Sequence, residues 1–146
     1  MEGRPATGTG VPLCPSAQPE MEGAFAFAVV GGAPGEPHAG YLAERVAVSP
    51  ELLALAGPVK ATEVFRFSAP CAGGGCMHFD GAECRLANKL VQLTPPAART
   101  LPACQVRPDC RWWRQEGKAA CLRCPGIVTE MYEYTEAQAA AANPRV

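Results

Sequence analysis

Aromatic side chains, histidines and long apolar runs are all scarce in this chain, and each scarcity removes a class of protein. Aromatics make up 7% of the residues, too few for a large aromatic-packed core. The only histidines are His38 and His78, which excludes a multi-histidine metal or acid–base centre. No stretch approaches the ~18 consecutive apolar residues that a membrane helix needs, so no membrane association is expected. The first twenty residues, MEGRPATGTGVPLCPSAQPE, place no apolar core behind a basic flank and do not read as a secretory signal.

Motifs are missing as well. There is no G-x-x-x-x-G-K-S/T or G-x-G-x-x-G phosphate cradle, no G-x-S-x-G and no H-E-x-x-H. The C-x3-C-x2-C run associated with radical chemistry on S-adenosylmethionine is absent too. Cys76 or Cys84 with His78 could make a nucleophile–base pair, but so many neighbouring cysteines explain His78 better as a ligand. No catalytic residue is assigned, and an enzyme in its own right is not expected.

Gly and Pro are abundant, at 15 residues each in 146, against a usual combined share of ~12%. They leave fewer residues for regular structure and imply a loop-rich fold that needs a staple beyond hydrophobic burial. That staple is visible in the eight cysteines: Cys14, Cys71, Cys76, Cys84, Cys104, Cys110, Cys121 and Cys124. With no export signal the expected compartment is the reducing cytoplasm, where clustered cysteines read as metal ligands or redox thiols. The even count leaves a disulfide framework open for an exported chain.

Net charge is −1, but its distribution is uneven. Residues 85–123 hold eight basic side chains (Arg85, Lys89, Arg99, Arg107, Arg111, Arg114, Lys118, Arg123) against Asp109 and Glu116, a local balance of +6. Nearby cations stabilise thiolates, so charge compensation is the favoured reading. Nucleic-acid contact through this region is the weaker one, because no known nucleic-acid module accompanies it.

Along the chain, residues 1–20 read as a flexible segment rich in Gly, Pro and Thr. Residues 23–30 suit a strand with Phe25, Phe27 and Val29 on one face. Residues 41–48 suit a returning strand and 64–67 a third. Ser49-Pro50-Glu51 signals a short helix start, which Gly57-Pro58 stops. Asp80, with Glu83 three positions on, predicts a capped helix over about 81–93, with Leu86, Leu90 and Leu93 at helical spacing. Residues 110–117 suit a second short helix. The tail, TEAQAAAAN, has high helix propensity but little to bury and reads as a frayed helix.

The cysteines form two groups: Cys71-x4-Cys76-x7-Cys84, and Cys104-x5-Cys110-x10-Cys121-x2-Cys124. The second is a full complement for one tetrahedral ion or one cubane cluster. The first has three, with His78 or Cys14 available as a fourth, and ligands shared across the groups remain allowed. Cys14 reads as a bystander, because reaching it closes a loop of more than fifty residues. A continuous helix over 110–121 would hold Cys110 and Cys121 roughly 16 Å apart at ~1.5 Å per residue, so a shared site requires a bend, and Gly117 is the expected place for it. Trp112 and Trp113 diverge by ~100° on a helix; one can shield the centre or pack while the other meets the fold or a partner.

Zinc ribbons usually carry two short C-x2–4-C knuckles, whereas here only Cys121-Leu122-Arg123-Cys124 has two intervening residues. Irregular spacing favours iron–sulfur over zinc. Cys124-Pro125 is similar to the Cys-Pro ending of bacterial ferredoxin ligand runs, a likeness of two residues. The Gly73-Gly74-Gly75 run would let backbone N–H groups approach cluster sulfurs.

The expectation is an α+β chain. Residues 21–70 supply a small sheet, residues 71–128 a loop-rich, cysteine-ligated metal-binding portion with short helices, and residues 129–146 a partly helical tail. The expected ligands are Cys71, Cys76, His78, Cys84, Cys104, Cys110, Cys121 and Cys124, holding one or two iron–sulfur clusters, of the four-iron type, or zinc as the alternative. The expected role is electron transfer or redox sensing with a redox-enzyme or client partner. Two alternatives stand: a zinc-stabilised adaptor for a protein or RNA, and an accessory factor in another enzyme's maturation.

Overall fold

A computed structural model of the chain describes residues 11–33, 36–72, 76–127 and 136–142. Four antiparallel strands form one sheet in the order β1-β4-β2-β3: β1 is Leu13–Ala17, β2 Phe25–Ala33, β3 Glu36–Ala47 and β4 Phe65–Pro70. Helices α1 (Pro50–Ala54) and α2 (Ala61–Val64) lie between β3 and β4. Helices α3 (Arg85–Leu93), α4 (Arg111–Glu116), α5 (Lys118–Arg123) and α6 (Glu136–Ala142) follow the sheet. The fold is thus mixed α+β, with the sheet ahead of most of the helices.

Alternation along β4 divides the sheet into two faces. Phe65, Phe67 and Ala69 join Ala17, Ala26 and Ala56 in one buried cluster, against which Leu52, Leu53 and Val64 pack from the helices. Phe25, Phe27, Ala28 and Ala39 form a second cluster with Val106 and the partly buried Tyr41 and Cys104. A third cluster lies among the C-terminal helices and contains Ala87, Leu90, Cys110, Trp112, Ala120, Cys124 and Ala141. Tyr41 packs against both the second and third clusters, so the cysteine-rich half closes over one face of the sheet and α1–α2 cover the other.

Local chemistry explains the elements that match expectation. Ser49 caps α1, its hydroxyl accepting from the Leu52 N–H at 3.1 Å, with Pro50 in the first turn. Phe25 and Phe27 are buried side by side in β2. Val29 departs from the expected pattern: the register shifts between Ala26 and Ala28, and Val29 emerges exposed, as a bulge re-aims the side chains after it.

Three expectations need correction. Residues 13–17, read as part of a flexible segment, are strand β1, paired antiparallel with β4 through Leu13–Pro70 and Cys14–Ala69. Pro12 and Cys71 extend that pairing, the Cys71 N–H donating to the Pro12 carbonyl at 2.8 Å. An edge strand tolerates Pro15 because one side of it needs no ladder donor; residues 1–10 lie outside the described residues. Asp80 does not cap α3. Its carboxylate accepts from the Ala82 and Glu83 N–H groups at 2.9 and 2.7 Å, closing a turn, and the helix begins later, with Cys84 at its N-cap. Leu93, the last residue of the helix, lies exposed while Leu90 is buried. Finally, the tail helix has something to bury: Ala141 is fully enclosed in the third cluster, and α6 packs on α3.

Candidate metal centre

The backbone gathers the cysteines into two sets of four. Cys14, on β1, lines one cavity with Cys71, Cys76 and Cys84. Cys71 directly follows β4, and Cys84 stands at the N-cap of α3. Cys104, Cys110, Cys121 and Cys124 line a second cavity. Electrostatics gives the same partition. The thiol of Cys14 feels Cys84, Cys71 and Cys76, while Cys121 feels Cys124 and Cys104, and Cys110 feels Cys124 and Cys121. All eight are free thiols.

The second quartet depends on a bend. Cys110 caps α4, and the helix ends at Gly117, whose φ of 69° and ψ of −145° lie outside the helical region. α5 then starts in a new direction and carries Cys121 and Cys124 back. The expected break at Gly117 is therefore observed. A Cβ there would meet nothing within 4 Å, so glycine is required by the dihedral rather than by space.

Arg66 ties this quartet to the sheet. It sits on β4, wholly buried, facing the cysteines. One terminal nitrogen donates to the carbonyls of Cys124 at 2.8 Å and Ile127 at 3.0 Å. The other donates to the Pro15 carbonyl at 2.8 Å and to the Cys124 sulfur at 3.3 Å. Its guanidinium lies over the Phe27 ring at 5.3 Å and the Trp112 ring at 6.0 Å. Among the described residues no carboxylate pairs with it. Burial alone would lower its pKa, but Cys124 and Tyr41 outweigh burial and raise it.

Other arginines attend the sulfurs. A terminal nitrogen of Arg111 approaches the Cys71 sulfur at 3.8 Å, and Arg107 bonds Cys121 and lowers its thiol pKa against the larger effect of burial, which raises it. Arg107 also covers the Trp113 ring at 5.6 Å and donates to the Pro102 carbonyl. Arg114 pairs with Asp109 at 3.2 Å, and Arg123 donates to the carbonyls of Thr94 and Ala119. These cations of the basic 85–123 stretch are engaged within the fold rather than displayed as one face.

Burial raises five of the thiols in the metal-free chain above their ordinary range. It pushes Cys14 up to about 12 and also raises Cys84, Cys104, Cys110 and Cys121. Burial, then the charges of Lys89 and Arg85, lowers His78 and keeps its ring neutral. Among the described residues the buried Nδ1 of His78 has no hydrogen-bond partner, and neither has the buried Nε1 of Trp112. The Trp112 N–H nevertheless lies close enough to Cys84 to lower its thiol pKa, against the larger effect of burial.

The residues expected as ligands line two shared cavities, in a partition the sequence left open. Cys14, read as a bystander, joins Cys71, Cys76 and Cys84, with His78 on the same cavity wall. The Gly73-Gly74-Gly75 run lies outside the described residues. Arg66 and Tyr41 were missed altogether; the available signal was a lone charge inside the apolar Val64-Phe65-Arg66-Phe67 run. Among the described residues, no group of three or more His, Cys, Asp or Glu side chains is arranged so that it could hold a metal ion. The cysteines share cavity walls rather than a finished coordination polyhedron. The donor types present are soft ones: four sulfurs on each cavity wall and, on one wall, the imidazole of His78, with arginines nearby. No helix among the described residues is long and apolar enough to cross a membrane. The chain matches no protein-family model, no curated protein and no solved structure.

Proposed function

We propose that the chain is a metal protein whose two cysteine quartets are its binding sites, at least one of them for an iron–sulfur cluster used in electron transfer or redox sensing. The observation that carries this reading is the division of eight free cysteines into four and four, one quartet per cavity. Four thiolates are the complement of a cubane cluster or a tetrahedral ion.

Arg66 supports it independently. A guanidinium removed from water without a counter-charge is costly. Four thiolates around a divalent ion, or around a cluster, carry about −2, and Cys124 lies at hydrogen-bond distance to receive the cation. When bound, a cluster supplies a one-electron couple. The chain's own residues would set that couple: the arginines by their charge, the Trp112 N–H by its nearness to Cys84, and the apolar wall by excluding water. A redox protein passes electrons to a partner, so a redox enzyme or client protein is the expected company.

The test is a visible spectrum with iron, zinc and acid-labile sulfide determined on protein purified without oxygen. Iron with sulfide, and a broad visible band that bleaches with dithionite, would sustain the proposal. A colourless protein with stoichiometric zinc would replace it with a zinc-stabilised adaptor. Absence of both metals, with thiols recovered as disulfides, would end the metal reading.

A further inference from the structure

Of the buried side-chain polar atoms that lack a hydrogen-bond partner among the described residues, three belong to the wall of one cavity: His78 Nδ1, Arg111 Nε and Trp112 Nε1. Each such atom costs free energy until a partner meets it. Arg111 and Trp112 open helix α4, and the indole is only 2% exposed. Its nearness to Cys84, another residue of that wall, fixes the side to which the N–H faces. Indole and guanidinium nitrogens can only donate, and a neutral imidazole carries its proton on one of two ring nitrogens. Together these atoms call for an acceptor.

Charge calls for the same thing. Arg111 is on the wall, and Lys89 and Arg85 act on His78 from α3. Among the described residues no Asp or Glu lines the cavity. The contacts of the Arg111 guanidinium there are soft: the Cys71 sulfur at 3.8 Å and the Phe79 ring at 5.6 Å. Much of the remaining wall is apolar, with Met21, Phe79, Leu86, Leu90 and Ile127. The volume is about 550 Å³, inside the ~300–1,000 Å³ range of small-molecule sites, which pair an apolar lining with a few convergent polar groups.

We propose that this cavity binds a small organic anion, a carboxylate on an apolar body. The carboxylate accepts from the N–H groups of Arg111 and Trp112, with His78 beside them, and the body lies against the apolar wall. A carboxylate fits because its two oxygens offer about four acceptor sites and its single charge meets the single arginine of the wall. The inference goes beyond the metal reading and does not rest on it, since the recognising atoms are nitrogens and no thiolate takes part.

The experiment titrates the full chain, as purified and with metal content determined on the same sample, with octanoate, octanol and octylammonium in a calorimeter at neutral pH. Octanoate should bind one per chain and at least about tenfold tighter than octanol, the margin of a charge-assisted hydrogen bond. Octylammonium should bind most weakly. Arg111→Met should abolish the preference for octanoate and leave octanol binding in place. Trp112→Phe keeps a ring and loses the N–H, so it should weaken octanoate several-fold and spare octanol. No octanoate binding, octanol bound as tightly as octanoate, or a preference that survives Arg111→Met overturns the proposal. The comparison of the three probes uses the unaltered chain, so it decides even where a variant fails to fold. Octanoate bound by a chain that carries no metal sustains this inference while the metal reading fails, and metal without octanoate binding does the reverse.

Discussion

A guanidinium with no water around it must be neutralised by what it touches, and Arg66 touches carbonyls, two aromatic rings and the sulfur of Cys124. Removing one partner of a buried charge pair costs about 3–5 kcal/mol. Arg66→Met in the metal-loaded protein should lower stability by that order, read as the denaturation midpoint, and should lower zinc and iron content. Arg66→Lys should recover only part, because a point charge cannot serve a planar fork of acceptors. A midpoint unchanged in Arg66→Met would show that the charge compensates nothing. Cys14 gives a second expectation, for metal-free protein. Burial raises its thiol to about 12, above an ordinary ~8.5. The folded state therefore prefers the neutral thiol, and this stabilisation is complete below the ordinary value and lost as pH climbs toward the folded one. The melting temperature of the metal-free chain should fall between pH ~8.5 and ~11, and Cys14→Ala should fall less over that window. Equal slopes would count against the burial of Cys14.

Among the elements, those governed by neighbouring residues were legible in the sequence. Ser49-Pro50 announces α1, the Phe25 and Phe27 alternation announces β2, and Gly117 announces the break between α4 and α5. Elements created by distant partners were not. Strand β1 exists because β4 offers it an edge, and nothing local to LCPSA says so. α6 is anchored where Ala141 meets the third cluster, and a run of alanines names no partner. The same division holds for the site: seven cysteines announce themselves by crowding, whereas Cys14 is delivered by strand pairing and Arg66 by the pleat of β4. The Gly117 dihedral is open to direct test. A side chain in that region costs ~1–3 kcal/mol. Gly117→Ala should thus lower the denaturation midpoint at unchanged slope, with no steric contribution because the surrounding space is empty.

At the scale of the whole molecule, specific links hold the cysteine-rich half to the sheet, among them the Leu13–Cys110 bridge, the Arg66 hydrogen bonds, the Arg45–Asp109 pair and the packing of Tyr41. α6 lines part of the cavity shared by Cys14, Cys71, Cys76 and Cys84, and Ala141→Asp, which places a charge in the third cluster, should release the helix. The expected outcome is a lower denaturation midpoint; an unchanged midpoint would show that α6 does not dock on α3 through Ala141. The position of β1 has a further consequence, for biosynthesis. Cys14 emerges from the ribosome long before Phe65–Pro70, the strand that will shelter it. Until β4 is made, this thiol is exposed and of ordinary acidity, and it is the only cysteine yet synthesised, because the next one is Cys71. The nascent chain thus passes through an interval in which an oxidant can join this thiol only to a thiol of another molecule. Correct assembly therefore depends on how reducing the surroundings are during synthesis, and chains made under oxidative stress should accumulate crosslinked species that chains finished beforehand do not.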